Sequence, residues 1–220
     1  GRRRPAYLAR MSTPTGSAAP RRDRAAARAA RHATILQAAK EVLLARGVEA
    51  ATMDEVAARA GTTKRTVYAH VGSKDAMVAA VVDESCRRFL AALPDPASLA
   101  ADPGDAVAAY CAQVRGHLAW RDALALQRLV LGDLWRTPAH GPRLAAVLDE
   151  AERRLVVFLA TTGVAHAPQR AAAVLAVLAT RTHARALFGA VPVADDAATA
   201  GLDDDDARRT ARAVVRTITG

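Results

Sequence analysis

One stretch of the chain constrains its fold more than any other, and it covers residues 51–74: ATMDEVAARAGTTKRTVYAHVGSK. Thr52 is a good N-cap, and Glu55 follows at the spacing of a capping box, so a helix is predicted to begin here. The apolar residues behind this cap recur at helical spacing, and they are Met53, Val56 and Ala57. Gly61 tolerates the left-handed backbone conformation that ends a helix, so the first helix is predicted to stop at a tight turn.

A second short helix is predicted directly after this turn, over residues 64–70, with Thr62 and Thr63 as candidate N-caps. Its inward face holds Val67, with the edge of the Tyr68 ring beside it. The outward face bears cations and hydroxyl groups, from Lys64, Arg65, Thr66, Tyr68 and His70. Two short helices joined by a glycine turn, the second with such a polar face, are typical of a helix-turn-helix that binds the DNA major groove.

Several groups of residues agree at once with one known signature, and they are 52–57 (TMDEVA), Ala60-Gly61, Lys64, 66–68 (TVY) and 72–77 (GSKDAM). With these residues the chain resembles the N-terminal signature of TetR-family transcriptional repressors, over residues 28 to about 83. Two positions depart from the usual pattern of that family. Thr62-Thr63 stands where Val-Ser is common, which keeps a cap. Val71 stands where Phe is common, which removes an aromatic ring from the core of the small domain.

Apolar residues recur at helical spacing through the rest of the chain. Together with the abundance of Ala, Leu, Val and Arg and the scarcity of aromatic residues, this favours an all-α protein. A helix over residues 24–46 is predicted before the signature, and Gly47 is predicted to end it. Ser73 is the candidate N-cap of the next helix, which is predicted over residues 74–93. Further helices are predicted over residues 105–119, 121–135, 142–160, 168–188 and 207–218.

Positive charge is concentrated at the front of the chain. Residues 1–75 hold 15 Lys and Arg against 6 Asp and Glu, whereas residues 76–220 hold 16 of each kind, so the net charge of +9 belongs to the front. This placement indicates a nucleic-acid-binding module joined to another domain. The alternative, on charge alone, is an Arg-rich composition with a disordered basic tail.

We therefore expect a disordered basic tail over residues 1–23, a three-helix helix-turn-helix DNA-binding domain over 24–75, and a larger helical domain over 76–220. The tail is low in complexity and rich in Pro, Ser, Thr, Gly and Arg. The resemblance implies that the larger domain binds a ligand and forms a homodimer, with the helices near 168–188 and 204–219 as the dimer surface. Small residues on a second face of these helices permit close approach, and they are Ala171, Ala172, Thr182 and Ala211.

The resemblance and the chemistry of the side chains together assign roles on DNA. Thr52 is expected at a helix N-terminus, where its hydroxyl and the free backbone N–H groups meet a phosphate. Arg65 is the leading candidate for a base contact, with Thr63 and Thr66 beside it, because a guanidinium can bind guanine in a bidentate manner. The expected phosphate contacts are Lys64, Tyr68, His70 and Lys74. The arginines at positions 2–4, 21, 22 and 24 either form an arm that touches DNA or belong to a solvated tail.

A ligand pocket is implied by the resemblance among the helices that span residues 104–162. The candidate lining residues are polar or aromatic side chains within aliphatic segments: Tyr110, His117, Trp120, Gln127, Arg128 and Trp135. Each of them alternatively serves only in the core or at the surface. The aliphatic setting favours a hydrophobic small-molecule effector. No cofactor is expected, and no metal, since the four histidines of this part share no metal-ligand spacing, while Cys86 and Cys111 are expected to be free buried thiols.

The leading hypothesis is a DNA-binding transcriptional regulator: a homodimeric repressor released from a palindromic operator by a small-molecule effector. One alternative is a sequence-tolerant nucleic-acid-binding protein without an effector. An enzyme is disfavoured, because the larger domain contains no recognisable Gly-rich phosphate loop, nucleophile elbow, paired metal ligands or acid–base pair. No apolar run reaches the length of a membrane span and no secretory signal is recognisable. With the resemblance, the bacterial cytoplasm is therefore the expected location.

Overall fold

The computed structural model describes residues 19–133, 137–177 and 181–190, and all regular structure within them is helical. The helices are α1 (Ala19–Ala50), α2 (Met53–Arg59), α3 (Lys64–Val71), α4 (Lys74–Ala92), α5 (Pro103–Ala119), α6 (Arg121–Asp133), α7 (His140–Thr161), α8 (Ala167–Leu175) and α9 (Arg181–Leu187). The predicted all-α fold, with a helix-turn-helix at the front and a larger helical region behind it, is confirmed. None of the described helices combines the length and the apolar character that a bilayer span requires. The helix predicted over residues 207–218 lies outside the described residues.

Most helix boundaries follow from local signals in the sequence. Gly47 interrupts α1 at the predicted position, with a φ of 81° and a ψ of 167°, a conformation that residues with a side chain rarely adopt. Gly61 follows α2 with a φ of 60° and allows the tight turn into α3. The caps predicted at Thr63 and Ser73 form, and each hydroxyl accepts the backbone N–H three residues ahead. These local signals explain why the helix-turn-helix was predictable.

Helix α1 begins earlier than predicted. It starts at Ala19 rather than at residue 24, inside the segment expected to be disordered. Alanine and arginine dominate this part of α1, and both are strong helix formers. Residues 23–34 are exposed except for the half-buried His32, and Ile35 is the first buried residue. The N-terminal half of α1 therefore extends beyond the body of the protein.

The first four helices pack around one buried cluster, which we call the front core. It consists of Ile35, Leu36, Ala38, Ala39, Val42, Leu43, Ala51, Met53, Val56, Ala57, Val67, Val71, Met77, Val78, Val81, Val82, Leu126 and Val130. Because Leu126 and Val130 belong to α6, that helix packs directly against the helix-turn-helix unit. An ion pair supports this contact, with Lys40 Nζ of α1 lying 2.9 Å from Asp122 Oδ2 of α6.

A second buried cluster, the rear core, fills the space between α5, α7 and α8. It consists of Leu93, Ala106, Val107, Ala108, Tyr110, Cys111, Val114, Leu118, Ala151, Leu155, Phe158, Leu159, Ala167, Ala171, Val174 and Leu175. The Tyr110 hydroxyl donates to the backbone carbonyl of Ala151 at 2.9 Å, so this buried polar group is satisfied. An ion pair of 2.7 Å between Arg143 of α7 and Asp83 joins the rear helices to α4.

The structure describes the helix predicted over residues 168–188 in two parts, residues 167–177 and 181–187. Helix α8 ends at Leu175, and a wider helical turn over residues 176–177 follows it. Helix α9 then begins at Arg181. A wide turn adds a residue without removing the apolar stripe, so the periodicity alone does not reveal this turn.

Ala171 lies in the rear core and not on an outer surface, contrary to the expectation that it belongs to the dimer face. It is completely buried, because it shares one face of α8 with Val174 and Leu175. Its neighbour Ala172 is exposed, as expected for a residue on a second face. The side chain of Thr182 and the whole of Ala211 lie outside the described part of the structure.

Candidate nucleic-acid interface

The capping box predicted at the start of α2 forms in full. The Thr52 hydroxyl accepts the backbone N–H of Glu55 at 3.2 Å, and the Glu55 carboxylate accepts the backbone N–H of Thr52 at 3.1 Å. Arg46 donates to the same carboxylate at 3.0 Å. The hydrogen bonds from Thr52, and then the charge of Arg46, lower the pKa of Glu55. Thr52 therefore lies at the helix N-terminus as expected, but its hydroxyl and its N–H are already hydrogen-bonded within the chain.

The turn between α2 and α3 brings Thr63 and Thr66 side by side. Thr63 Oγ1 accepts the backbone N–H of Thr66 at 3.2 Å, and the two hydroxyl oxygens lie 2.9 Å apart. Lys64 is the first residue of α3, and its Nζ donates to Asp54 Oδ2 of α2 at 2.7 Å. This hydrogen bond raises the pKa of Lys64, which keeps the amine charged. The contacts of Thr63 and Thr66 cap the start of α3, and the Lys64–Asp54 pair connects α3 to α2 at the surface.

Helix α3 turns one face to the front core and the opposite face to solvent. Val67 and Val71 are buried on the inner face, as predicted for Val67. On the outer face Arg65 is exposed, and Tyr68 retains 45% of its surface. Arg65 forms no hydrogen bond or ion pair with any of the described residues. Its guanidinium is therefore available to a ligand outside the chain.

Lys74, at the start of α4, donates to the backbone carbonyl of Glu49 at 2.5 Å. This hydrogen bond ties α4 to the segment that links α1 and α2. Lys74 therefore has a partner within the chain, as Lys64 does, whereas Arg65 has none among the described residues. These three cations differ in how readily each can reach a phosphate or a base.

His70, near the end of α3, contacts the N-terminal half of α1. Its ring lies 5.9 Å from the ring of His32, measured between centroids, and the two ring planes are tilted by 32°. Partial burial, and then the positive charges of His32, Arg28 and Arg31, lower the pKa of His70. Sequence reasoning did not single out Arg28, Arg31 or His32. All three lie within the helix predicted over residues 24–46, but the sequence does not indicate that this part of the helix lies beside α3.

Two cavities lie behind the helix-turn-helix unit. The first, of about 250 Å³, lies between α1, α4, α5 and α6, and the second, of about 240 Å³, lies between α4, α6, α7 and α9. Four residues line both cavities, and they are Ser85, Phe89, Ala123 and Leu126. Of the predicted pocket residues, His117 and Trp120 line the first cavity and Gln127 lines the second. Tyr110 and Arg128 line neither of the two, and Trp135 lies outside the described residues.

The second cavity has a mainly aliphatic lining, which includes Leu118, Leu131, Leu144, Val147, Leu148 and Leu187. Gln127 of α6 and His183 of α9 hydrogen-bond each other at its edge. Burial lowers the pKa of His183, which keeps this imidazole neutral at pH 7. Arg128 instead donates to the backbone carbonyls of Ala186 and Leu187, at 2.8 Å each, and so holds α9 against α6.

Both cysteines are free thiols. Cys111 is buried in the rear core, and burial raises its pKa to about 12. Cys86 is half-buried and lines the second cavity, and burial raises its pKa as well. Both thiols are therefore protonated at neutral pH, as expected for small apolar side chains. Cys86 is a cavity residue that sequence reasoning did not place there.

The front of the chain matches one known family. Residues 35–81, which contain α2, α3 and parts of α1 and α4, match the family described as bacterial regulatory proteins, tetR family. No curated protein matches the chain.

Solved structures with the same fold include several regulators. A protein of Mesorhizobium loti described as a TetR-family transcriptional regulator has a TM-score of 0.71 at 20% identity, covering 87% of this chain and 96% of that one. The flavonoid-responsive regulator FrrA has a TM-score of 0.67 at 20% identity, covering 86% and 94% of the two chains. A transcriptional regulator from Pseudomonas aeruginosa has a TM-score of 0.63 at 19% identity, covering 86% and 89%. At these identities the likeness concerns the fold alone.

Proposed function

We propose that the chain is a DNA-binding transcriptional regulator of the tetR family, and that it is a homodimeric repressor released from a palindromic operator by a hydrophobic small molecule. Residues 24–75 serve as the DNA-binding domain, and residues 76–220 serve as the ligand-binding and dimerisation domain. The observation that carries the proposal is the position of Leu126, which lines both cavities and also belongs to the front core. A ligand that displaces Leu126 acts directly on the packing of the helix-turn-helix unit.

Helix α3 enters the major groove and contacts base edges through Thr63, Arg65 and Thr66. The exposure of Arg65 and its lack of a partner among the described residues support a base contact, because the guanidinium loses no bond within the chain on binding. The phosphate contacts are Thr52, Lys64, Tyr68, His70 and Lys74. On binding DNA, Lys64 exchanges the carboxylate of Asp54 for a phosphate oxygen, and Lys74 exchanges the backbone carbonyl of Glu49 for one.

The effector occupies the second cavity. The aliphatic lining supports a hydrophobic ligand, and the pair formed by Gln127 and His183 supplies polar groups that orient it. The regulator FrrA, which has the same fold, is responsive to flavonoids according to its name. Planar aromatic molecules are therefore the first class of effector to test.

Release follows from the residues that the cavities share with the DNA-binding helices. A ligand in the second cavity moves Phe89 of α4 and Leu126 of α6, and α4 directly follows α3 in the chain. In a homodimer, a movement of α4 changes the separation of the two α3 helices, which then no longer match successive major grooves. The effector and DNA therefore weaken the binding of each other by the same factor.

Fluorescence anisotropy on labelled duplex DNA tests this function. The duplexes are a fragment from upstream of the chain's own gene and sequences selected from random DNA. We expect binding that survives an excess of random duplex and that is lost when a flavonoid or another planar aromatic compound is added. Binding that any competitor removes equally would favour the alternative, a sequence-tolerant nucleic-acid-binding protein without an effector.

The roles of Arg65 and Lys74 are distinguished by substitution. Arg65→Ala should weaken operator binding by roughly tenfold to a hundredfold and relax one base position, because a bidentate base contact is lost. Lys74→Ala should weaken the binding of all sequences alike. Arg87→Ala, which removes a charge from the exposed part of α4, serves as the control. It should change neither the affinity for operator nor the affinity for random DNA. Equal losses on operator and random DNA for Arg65→Ala would refute its contact with a base.

A further inference from the structure

The N-terminal half of α1, residues 23–34, is a helix that apolar packing does not hold in place. Every residue in it is exposed except the half-buried His32, and the front core begins only at Ile35. At a rise of 1.5 Å per residue this extension is about 18 Å long. The match to the tetR family also begins at residue 35, so the extension lies outside the part of the chain that the family describes.

Three arginines form a row along this extension. Arg24, Arg28 and Arg31 are spaced by four and three residues, which places them on one face of the helix. The only acidic residue in the segment is Asp23, which lies about 100° around the helix from Arg24. The face is therefore continuously positive over about two turns.

These arginines differ from other cations of the helix-turn-helix unit, because no carboxylate of the described residues pairs with them. The cations that do have an acidic partner are Lys40, Arg46, Arg59 and Lys64. Unpaired like charges on successive turns of a helix repel one another, so the row is best stabilised by an external polyanion.

The row lies beside the helix that carries the candidate base contacts. His32 follows Arg31 in the chain, and its ring contacts the ring of His70 of α3, with 5.9 Å between centroids. The charges of Arg28 and Arg31 are close enough to contribute to the lowered pKa of His70, after the larger effect of partial burial. When α3 lies in the major groove, the extension therefore lies next to the sugar–phosphate backbone that borders the groove.

We propose that Arg24, Arg28 and Arg31 bind the phosphodiester backbone beside the base pairs that α3 contacts, so that the extension of α1 lengthens the DNA interface. This inference rests on the proposed DNA-binding function and adds a second element to it. A guanidinium binds a phosphate through paired, charge-assisted hydrogen bonds. Such contacts add affinity without sequence preference, and each one releases condensed counterions from the DNA.

The test compares the full chain with its Arg24→Gln/Arg28→Gln/Arg31→Gln variant by fluorescence anisotropy over a series of salt concentrations. The probes are an operator selected from random DNA and a random duplex of the same length. We expect the variant to lose roughly tenfold or more in affinity for both duplexes, with a salt slope that is shallower by about 2 to 3. The preference for operator over random DNA should remain. Trimming the DNA outside the recognised base pairs should weaken the unmodified chain but not the variant.

Two further variants keep the test specific. Replacing the same three arginines by lysine preserves the charge and should preserve most of the salt slope. The Arg153→Gln/Arg170→Gln/Arg185→Gln variant removes an equal charge from α7, α8 and α9, outside the helix-turn-helix unit, and should keep the slope in full. Circular dichroism verifies that each variant retains its helices.

Two outcomes would overturn the proposal: an unchanged slope in the Arg24/Arg28/Arg31 glutamine variant, or an equal reduction in the distant variant. Because the salt slope is also measured on the random duplex, the test of the phosphate contacts does not depend on finding an operator. Failure of the unmodified chain to prefer a selected operator would count against the repressor function and not against the phosphate contacts.

Discussion

Asp54 and Lys64 set the charge at the edge of the proposed DNA surface. Their charged atoms lie 2.7 Å apart, and the two side chains retain 67% and 52% of their surface. An ion pair this exposed contributes little to folding stability, so a phosphate can replace Asp54 as the partner of Lys64. The carboxylate then remains close to the DNA backbone and repels it.

Asp54→Asn should therefore raise the affinity for operator and random DNA alike, by up to roughly fivefold, the range expected for one exposed charge interaction. Asp149→Asn removes an equal charge from the exposed face of α7 and should leave DNA binding unchanged. Anisotropy at low and moderate salt measures both variants, and the gain should shrink as salt increases. If Asp54→Asn bound DNA no more tightly than Asp149→Asn, the carboxylate would lie too far from the backbone to matter.

At the scale of residues, the contacts that could be predicted are those between neighbours in the sequence. The capping box of Thr52 and Glu55 forms as predicted, because both partners belong to one helical turn. The partner of Tyr110 is the carbonyl of Ala151, far along the chain, and Arg128 binds carbonyls at the end of α9 in the same long-range manner. Such partners depend on how the helices pack, which residue type and spacing do not reveal.

At the scale of helices, Glu150 orients Arg154, which joins α7 to the end of α4. Its carboxylate accepts hydrogen bonds from Arg153 Nε at 2.6 Å and from Arg154 Nε at 3.0 Å. Arg154 also donates to the backbone carbonyl of Leu93 at 2.8 Å. The hydrogen bonds from the two arginines lower the pKa of Glu150 to about 2, so the ionised carboxylate favours the folded state.

Glu150→Gln should lower the melting temperature at pH 7 by a few degrees, corresponding to about 1 kcal/mol. Because the folded pKa of Glu150 lies below its ordinary value of 4.5, the contribution is present above pH 4.5 and is lost as the pH falls toward 2. The difference between the two proteins should therefore shrink below pH 4.5. Thermal unfolding followed by circular dichroism measures it, with Glu152→Gln on the same helix as the control. A difference in melting temperature that stays constant from pH 7 to pH 3 would show that the ionised Glu150 carboxylate is not its cause.

The ends of the helices were predictable where a cap or a glycine marks them, and less so elsewhere. Thr63 and Ser73 begin α3 and α4 as predicted. The start of α1 was missed, because the Pro, Ser and Gly before it suggest disorder while the Ala-rich part carries no distinct cap. The wide turn at residues 176–177 was missed because it leaves the apolar periodicity intact.

At the scale of the whole molecule, α4 joins the two cores, and α6 joins the front core to the cavities. Helix α4 contributes Val81 and Val82 to the front core, and its Phe89 packs against the rear core. Helix α6 adds Leu126 to the front core while lining both cavities. The proposed boundary after residue 75 therefore separates two functions within one continuous packing arrangement. The sequence indicates that α6 has an apolar face, but not which helices cover that face.

The outer side of α8 is suited to a second copy of the chain. Ala172 and Ala173 are exposed, and Val177 retains 48% of its surface one turn further along the same face. A two-fold axis beside this face would bring the same residues of both copies together and bury them. In this arrangement the exposed Ala172 belongs to the dimer surface as expected, whereas the buried Ala171 does not.

Val177→Glu places a negative charge on this face, and in a two-fold dimer the two new charges would lie near each other. We expect the variant to sediment as a monomer. Its affinity for a duplex with two half-sites should fall by roughly tenfold or more, because the second half-site no longer binds intramolecularly. The affinity for a single half-site should be unchanged, since α3 is not altered. Val157→Glu, at a side chain of α7 that is 51% exposed, is the control and should remain dimeric. If Val177→Glu also remained dimeric, the dimer surface would lie on another helix, and the apolar face of α8 would need a different explanation.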